Sequence, residues 1–72
     1  MTTRLRITFA DWLSVAEMEV ASDLIRTFGD TVDYDRERRT LVIEPRSGEL
    51  DTLKEYLAVW ETDDALEWSD AA

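Results

Sequence analysis

The order in which the hydrophobic period changes along the chain limits the possible folds more than any other feature. Leu5, Ile7 and Phe9 alternate with polar residues, which is the period of a strand with one buried face. A helical period follows, then two further strand-like runs at residues 31–35 and 39–44, a second helical period, and a last alternating run. This succession predicts the element order β-α-β-β-α-β.

The first predicted helix carries the clearest local signal. Ser14 and Glu17 match the capping box, in which a hydroxyl and a carboxylate satisfy the first free N–H groups of a helix. Gly29 then supplies the residue type that commonly ends a helix in a left-handed conformation. Five apolar residues are predicted to share the buried face of this helix: Met18, Ala21, Leu24, Ile25 and Phe28.

The two central strand-like runs are predicted to form a hairpin, although the connecting residues 36–38 contain neither glycine nor asparagine. Pro45 is expected to end the second strand of this hairpin. Ser47 is predicted to cap the second helix, and Glu49 and Asp51 lie near its positive end.

The second predicted helix has an apolar stripe at intervals of three and four residues, formed by Leu50, Leu53, Leu57 and Trp60. Residues 62–64 interrupt this stripe. Leu66 and Trp68 then alternate with polar neighbours and predict a final strand. The alternative is that residues 63–69 form a helical turn, which would leave a sheet of three strands.

Together these elements predict a single compact domain over residues 1–72 with an α+β, ferredoxin-like fold. Two helices would cover one face of a four-stranded antiparallel sheet with strand order 4-1-3-2. The open face would carry charged and small polar residues, among them Arg4, Arg6, Asp33 and Asp35. It lacks the aromatic side chains on which RNA-binding sheets stack bases.

Composition excludes several classes of function. The chain has no cysteine, so disulfides and thiolate metal sites are excluded, and no histidine to act as the usual proton shuttle or zinc ligand. A net charge of -9 opposes direct binding to nucleic acid or to an anionic membrane. We expect no enzyme activity, no cofactor and no metal site. Without a signal-peptide core or a membrane-spanning stretch, the sequence predicts a cytoplasmic protein.

The acidic residues are distributed unevenly. Residues 1–44 contain nine acidic and six basic residues, whereas residues 45–72 contain eight and two. Carboxylates spaced along a surface can imitate the phosphates of a duplex and attract a basic groove on another protein. The predicted partner-binding residues are seven acids and one possible apolar anchor: Glu49, Asp51, Glu55, Glu61, Asp63, Asp64, Glu67 and Trp12.

In size, charge and predicted architecture, the chain resembles the small acidic phage-encoded inhibitors of host defence, including anti-CRISPR proteins that act as DNA mimics. The resemblance extends to no shared motif, so it assigns no individual residue. It implies a non-enzymatic inhibitor whose partner is a protein with a basic surface, such as a nucleic-acid-binding complex. A pure phosphate mimic would not need the arginines at 36, 38 and 39. They could instead bind an acidic patch of a partner or a second copy of the chain.

A second hypothesis explains the same acidity without a partner of another kind. High acid content with a single lysine is also typical of proteins from salt-loving hosts, in which hydrated carboxylates maintain solubility. In that case the chain would be a structural or accessory domain that forms a homodimer through its sheet.

Overall fold

The computed structural model describes residues 3–71, and its element order is the predicted one. The elements are β1 (Leu5–Phe9), α1 (Val15–Arg26), β2 (Gly29–Asp35), β3 (Thr40–Pro45), α2 (Leu50–Thr62) and β4 (Leu66–Asp70). The strands form one antiparallel sheet in the order β2-β3-β1-β4, which is the predicted 4-1-3-2 order in reverse. The ferredoxin-like arrangement is therefore confirmed.

The last strand decides against the helical alternative for residues 63–69. β4 pairs with β1 along its whole length, from Leu66 opposite Phe9 to Asp70 opposite Leu5. β1 consequently has a strand on each side, since it also pairs with β3. The three-stranded alternative is wrong.

One face of the sheet forms the core with both helices. Leu5, Ile7 and Phe9 of β1 are buried, as the period of two requires when one strand face is covered. The register sets Leu5 opposite Ile43 and Ile7 opposite Leu41, so β3 adds to the same face. The helices complete this cluster with Met18, Ala21, Ile25, Leu53 and Leu57.

The start of α1 follows the sequence prediction with one change of partner. Ser14 caps the helix, and its hydroxyl oxygen accepts a hydrogen bond from the Glu17 backbone N–H at 3.1 Å. In a full capping box the Glu17 carboxylate would accept from the Ser14 backbone N–H. Here the Glu17 carboxylate accepts a hydrogen bond from the Ser14 hydroxyl at 2.9 Å, so the Ser14 side chain contacts both the backbone N–H and the side chain of Glu17.

The end of α1 differs from the prediction. The helix ends at Arg26, its C-cap is Thr27 in a right-handed conformation, and Gly29 is the first residue of β2. A Cβ atom on Gly29 would lie 2.2 Å from the backbone carbonyl oxygen of Glu44. Glycine is therefore needed here because β3 approaches closely, and not because the backbone is left-handed.

The start of α2 also differs from the prediction. The N-cap residue is Glu49, which makes no side-chain capping hydrogen bond, so Ser47 does not cap the helix. Gly48 between them has φ +85°, the left-handed conformation that favours glycine. Asp51 lies in the first turn of α2, where its charge is favourable, as predicted.

The hairpin turns without glycine or asparagine because other residues supply the turn chemistry. Arg39 has φ +58°, the left-handed conformation that a tight turn requires. The Asp35 carboxylate accepts a hydrogen bond from the Arg38 backbone N–H at 3.1 Å, as acidic residues commonly do at turns.

Candidate protein-binding surface

Three connections meet at the end of the sheet where β1 and β2 finish and β3 and β4 begin. They are residues 10–14, 36–39 and 63–65, and we call this the loop end. The Phe9 backbone N–H donates to the Arg39 carbonyl oxygen, and the Ala10 N–H donates to the Ala65 carbonyl oxygen, both at 2.8 Å. The loop end is therefore a continuous surface built by residues far apart in sequence.

Trp12 lies at the loop end with 62% of its surface exposed. The turn that carries it is held by the Arg39 guanidinium, which donates to the carbonyl oxygens of Ala10 at 2.9 Å and of Leu13 at 2.7 Å. Leu13 is buried in the core on the other side of the turn. Trp12 is thus an exposed aromatic side chain on an anchored turn, which is the geometry of an interface anchor.

Three of the predicted acids surround one shallow depression at the loop end. Glu61, Asp64 and Glu67 line this open volume of about 400 Å³ together with residues of β1. Asp64 has φ +56° and, with the C-cap residue Asp63, turns the chain from α2 into β4. The Glu61 carboxylate also accepts a hydrogen bond from the indole N–H of Trp68.

The other predicted acids lie elsewhere. Glu49 and Asp51 are at the opposite end of α2, about 15 Å from Glu61 at 1.5 Å per residue. Asp51 and Glu55 share an outward-facing side of α2, while Glu61 points about 120° away from Glu55 around the helix. Since Glu67 is on β4, the seven acids are divided between α2, its two ends and the last strand, and they do not form one helical face.

The ion pairs separate the chain into two sections. Four salt bridges occur among residues 3–71. In all four, both partners lie within residues 3–44, which we call the amino-terminal section. The carboxyl-terminal section, residues 45–71, contributes no carboxylate to any of them. Its two cations bind other groups: Arg46 donates to the Thr27 carbonyl oxygen, and Lys54 lies over the Trp68 ring.

The arginines of the hairpin contact this same chain. Arg36 pairs with Glu19 of α1 at 2.7 Å, and Arg38 pairs with Asp35 at 3.7 Å. Arg39 binds the two backbone carbonyls that hold the Trp12 turn. These contacts give the hairpin a structural role, which explains why so acidic a chain retains a cluster of arginines there.

An apolar groove between the two helices was missed by the sequence analysis. Leu24 was predicted in the core but is 46% exposed, and Val20 is 58% exposed. Val20 lines an open pocket of about 240 Å³ together with Ala16, Glu17 and Trp60. The four-residue repeat of Ala16, Val20 and Leu24 was the available signal, since it continues an apolar stripe beyond the core face.

Aromatic side chains form the α2 side of this groove. The rings of Tyr56 and Trp60 lie 6.4 Å apart in an edge-on arrangement, and Tyr56 is 5.7 Å from the Phe28 ring beyond the end of α1. Trp60 and Trp68 are both half-buried against the core.

The described residues offer no built site for a metal. Among residues 3–71, no group of three acidic side chains is arranged to hold an ion. The helices in the same range are too short and too polar to cross a bilayer. Comparison with protein-family models, with curated proteins and with solved structures finds no significant match to the chain.

Proposed function

We propose that this protein is a non-enzymatic inhibitor that binds the basic, nucleic-acid-binding surface of a partner protein, in the manner of anti-CRISPR proteins or other DNA mimics. The observation that supports this most is the uncompensated charge of the carboxyl-terminal section. Its seven predicted partner-binding acids form no salt bridge within residues 3–71, and six of them are exposed.

Uncompensated carboxylates favour a basic partner for a physical reason. An acid that already pairs with an arginine must lose that pair before it can bind a second cation. Asp51, Glu55 and Asp63 carry no such cost, so their charge remains available to steer a basic surface into contact. Association should be fast and should weaken as salt screens the attraction.

The loop end adds a short-range contact to this attraction. Trp12 is exposed on a turn that Arg39 holds in place, so little conformational freedom is lost when a partner covers it. Glu61, Asp64 and Glu67 lie at the same end of the molecule. We propose that the protein acts in the cytoplasm, where nucleic-acid-binding targets are found.

The alternative, a homodimer formed through the open sheet face, has weaker support. Val42 lies at the centre of this face but is only 8% exposed, and Arg4 pairs with Glu44 across it at 3.3 Å. Stable homodimers usually bury a more apolar surface than this.

Affinity capture tests the proposal and supplies the partner. The tagged protein is incubated with nuclease-treated lysate of the host cell, and the bound proteins are identified by mass spectrometry at about 0.1 M and about 1 M NaCl. We expect a basic nucleic-acid-binding protein that is retained at low salt and released at high salt. Adding our protein to this purified partner should displace a labelled DNA duplex.

Two outcomes would contradict the proposal. One is recovery of the protein alone at both salt concentrations, which would favour the homodimer. The other is a captured partner that binds the duplex equally well in the presence and absence of our protein, because an inhibitor on the nucleic-acid surface must compete with DNA.

A further inference from the structure

The contacts on the outer flank of each helix show which flank faces the other helix. The residues on those facing flanks bound the apolar groove between α1 and α2. On α2, Lys54 and Glu61 contact Trp68 of β4, and Tyr56 and Val59 lie on the opposite flank, toward α1. On α1, Glu19 pairs with Arg36 on the β2 side, and Leu24 lies opposite, toward α2. The groove residues are Ala16, Val20, Leu24, Tyr56, Val59 and Trp60.

The groove leaves a large amount of apolar surface exposed for so small a protein. Val20, Leu24 and Val59 have 58%, 46% and 65% of their surface exposed. Exposed apolar residues that gather on one surface mark interaction sites, whereas scattered ones do not. Val20 lines the pocket with the half-buried Trp60, and helical geometry sets Leu24 and Val59 on the flanks that face each other, so the three residues border one groove.

The margins of this groove are negatively charged. Of the six acidic residues of the two helices, Glu19, Asp23 and Glu61 lie on the outer flanks. Asp51 and Glu55 lie on the outward-facing side of α2. Both basic side chains of the helices are also held on the outer flanks. Arg26 lies 4.3 Å from the centre of the Tyr34 ring, and Lys54 lies 5.6 Å from that of Trp68. Glu17 lines the groove directly. An occupant must therefore combine an apolar stripe with positive charge beside it.

We propose that the groove binds an amphipathic α-helix of the partner protein, with its apolar stripe against Val20 and Trp60 and with lysines or arginines along both margins. This inference rests on the proposed function and specifies what the basic partner presents. Helices bind grooves of this kind through apolar side chains at intervals of three and four residues. With 12 and 13 residues, α1 and α2 can bind about three turns of such a helix.

Charge argues against the other possible occupants. A second copy of this chain would bring the acidic margins of one groove against those of the other. Nucleic acid and anionic lipid would meet the same repulsion. A basic helix is the occupant that satisfies both the apolar floor and the acidic margins.

Three synthetic peptides of about 18 residues, a length at which a helix can form on contact, test the inference. The first contains leucine and lysine in a helical amphipathic pattern, the second is a scrambled sequence of the same composition, and the third replaces lysine with glutamate. Titration calorimetry measures the affinity of each for the full chain. We expect the patterned cationic peptide to bind at least about tenfold more tightly than the scrambled one, and the glutamate peptide not to bind.

Two matched valine substitutions locate the binding site. Val20→Glu places a charge in the groove, whereas Val32→Glu makes the same change at a 43% exposed valine on β2. Both add one negative charge, so long-range attraction to the cationic peptide rises equally in the two variants. We expect Val20→Glu nevertheless to weaken binding at least about tenfold, because a charge would be desolvated in the groove, and Val32→Glu to have no such effect. If circular dichroism shows that Val20→Glu is unfolded, Val20→Ala replaces it, with an expected loss of about threefold.

The outcomes separate this inference from the proposed function on which it rests. Equal binding by the Val20→Glu and Val32→Glu variants, or equal binding of the patterned and scrambled peptides, would overturn the inference that the groove binds a helix. The triple variant D51K/E55K/D63K is measured in parallel and removes two acids of α2 and the acid at its C-cap without changing an apolar groove residue. If it weakens the peptide while Val20→Glu does not, the acidic surface binds cations and the groove inference fails alone. If neither variant affects binding, both fail.

Discussion

The amino-terminal and carboxyl-terminal sections use their charges in different ways. In the first, four acids pair with four arginines, and a fifth arginine, Arg39, anchors a turn. In the second, eight acids accompany two cations, and no carboxylate forms an ion pair within residues 3–71. The amino-terminal section therefore pairs part of its charge within the fold, while the carboxylates of the carboxyl-terminal section form no ion pair within residues 3–71.

Five of the seven arginines of this acidic chain make the contacts of the amino-terminal section. Arginine suits internal roles because its planar guanidinium can bind two oxygens at fixed positions. Arg39 uses this property on two backbone carbonyls that lie 26 and 29 residues away in the sequence.

The largest expected effect concerns Arg39. Arg39→Ala removes the donor to the Ala10 and Leu13 carbonyl oxygens, which are partly buried, so we expect a loss of about 2–3 kcal/mol in the free energy of unfolding. Arg38→Ala is the matched control, because the Arg38 side chain is 84% exposed and its pair is long, at 3.7 Å. Urea denaturation measures both. Equal losses in the two variants would show that the anchored turn contributes nothing.

A smaller effect is expected for the pair between α1 and the hairpin. Glu19→Gln removes the partner of Arg36 from a contact of 2.7 Å that is only partly exposed, so we expect a loss of about 0.5–1 kcal/mol. Glu55→Gln is the control from the carboxyl-terminal section, where the same change breaks no ion pair and should not destabilise the fold. A double-mutant cycle with Arg36→Gln isolates the coupling. A coupling energy of zero would show that the pair between Arg36 and Glu19 does not contribute to the difference between the two sections.

The smallest effect should have the opposite sign. Asp63 is an exposed acid at the C-terminal end of α2, where the helix dipole favours a cation. We expect Asp63→Lys to stabilise the protein by about 0.5 kcal/mol. The control is Glu37→Lys in the hairpin, where the removed acid stands between two arginines and no gain is expected. Thermal unfolding compares the two, and a loss of stability for Asp63→Lys would mean that this acid serves the fold.

The element order could be predicted from the sequence because burial of one face imposes its period on each strand and helix. Leu5, Ile7 and Phe9 record that period directly, and Ser14 marks the start of α1 by local hydrogen bonding alone. Gly29 was misassigned because its reason is tertiary: the Glu44 carbonyl approaches it from another strand. The local sequence pattern around Gly29 does not indicate that another strand lies so close to it.

The candidate surface was predictable only in part, for the same reason. The excess of acids after residue 44 is visible in the sequence, but their separation along and around α2 depends on the fold. The exposure of Leu24 depends on the spacing between two helices, which periodicity within one helix does not report. The hairpin arginines likewise show their charge in the sequence, while their partners become evident only in three dimensions.

The central claim is that the acids of the carboxyl-terminal section bind the partner, and two triple variants test it most directly. D51K/E55K/D63K reverses three acids of that section, while D30K/D33K/E37K reverses three exposed acids on β2 and the hairpin that form no ion pair within residues 3–71. Each changes the net charge from -9 to -3, since every reversal adds two charges. Circular dichroism confirms folding before capture from lysate is quantified.

If the account is right, the first variant loses at least about tenfold in captured partner at low salt, and the second loses less than about twofold. Equal losses would show that only the total charge of the chain matters, and the division of the molecule into a structural and a binding section would be wrong.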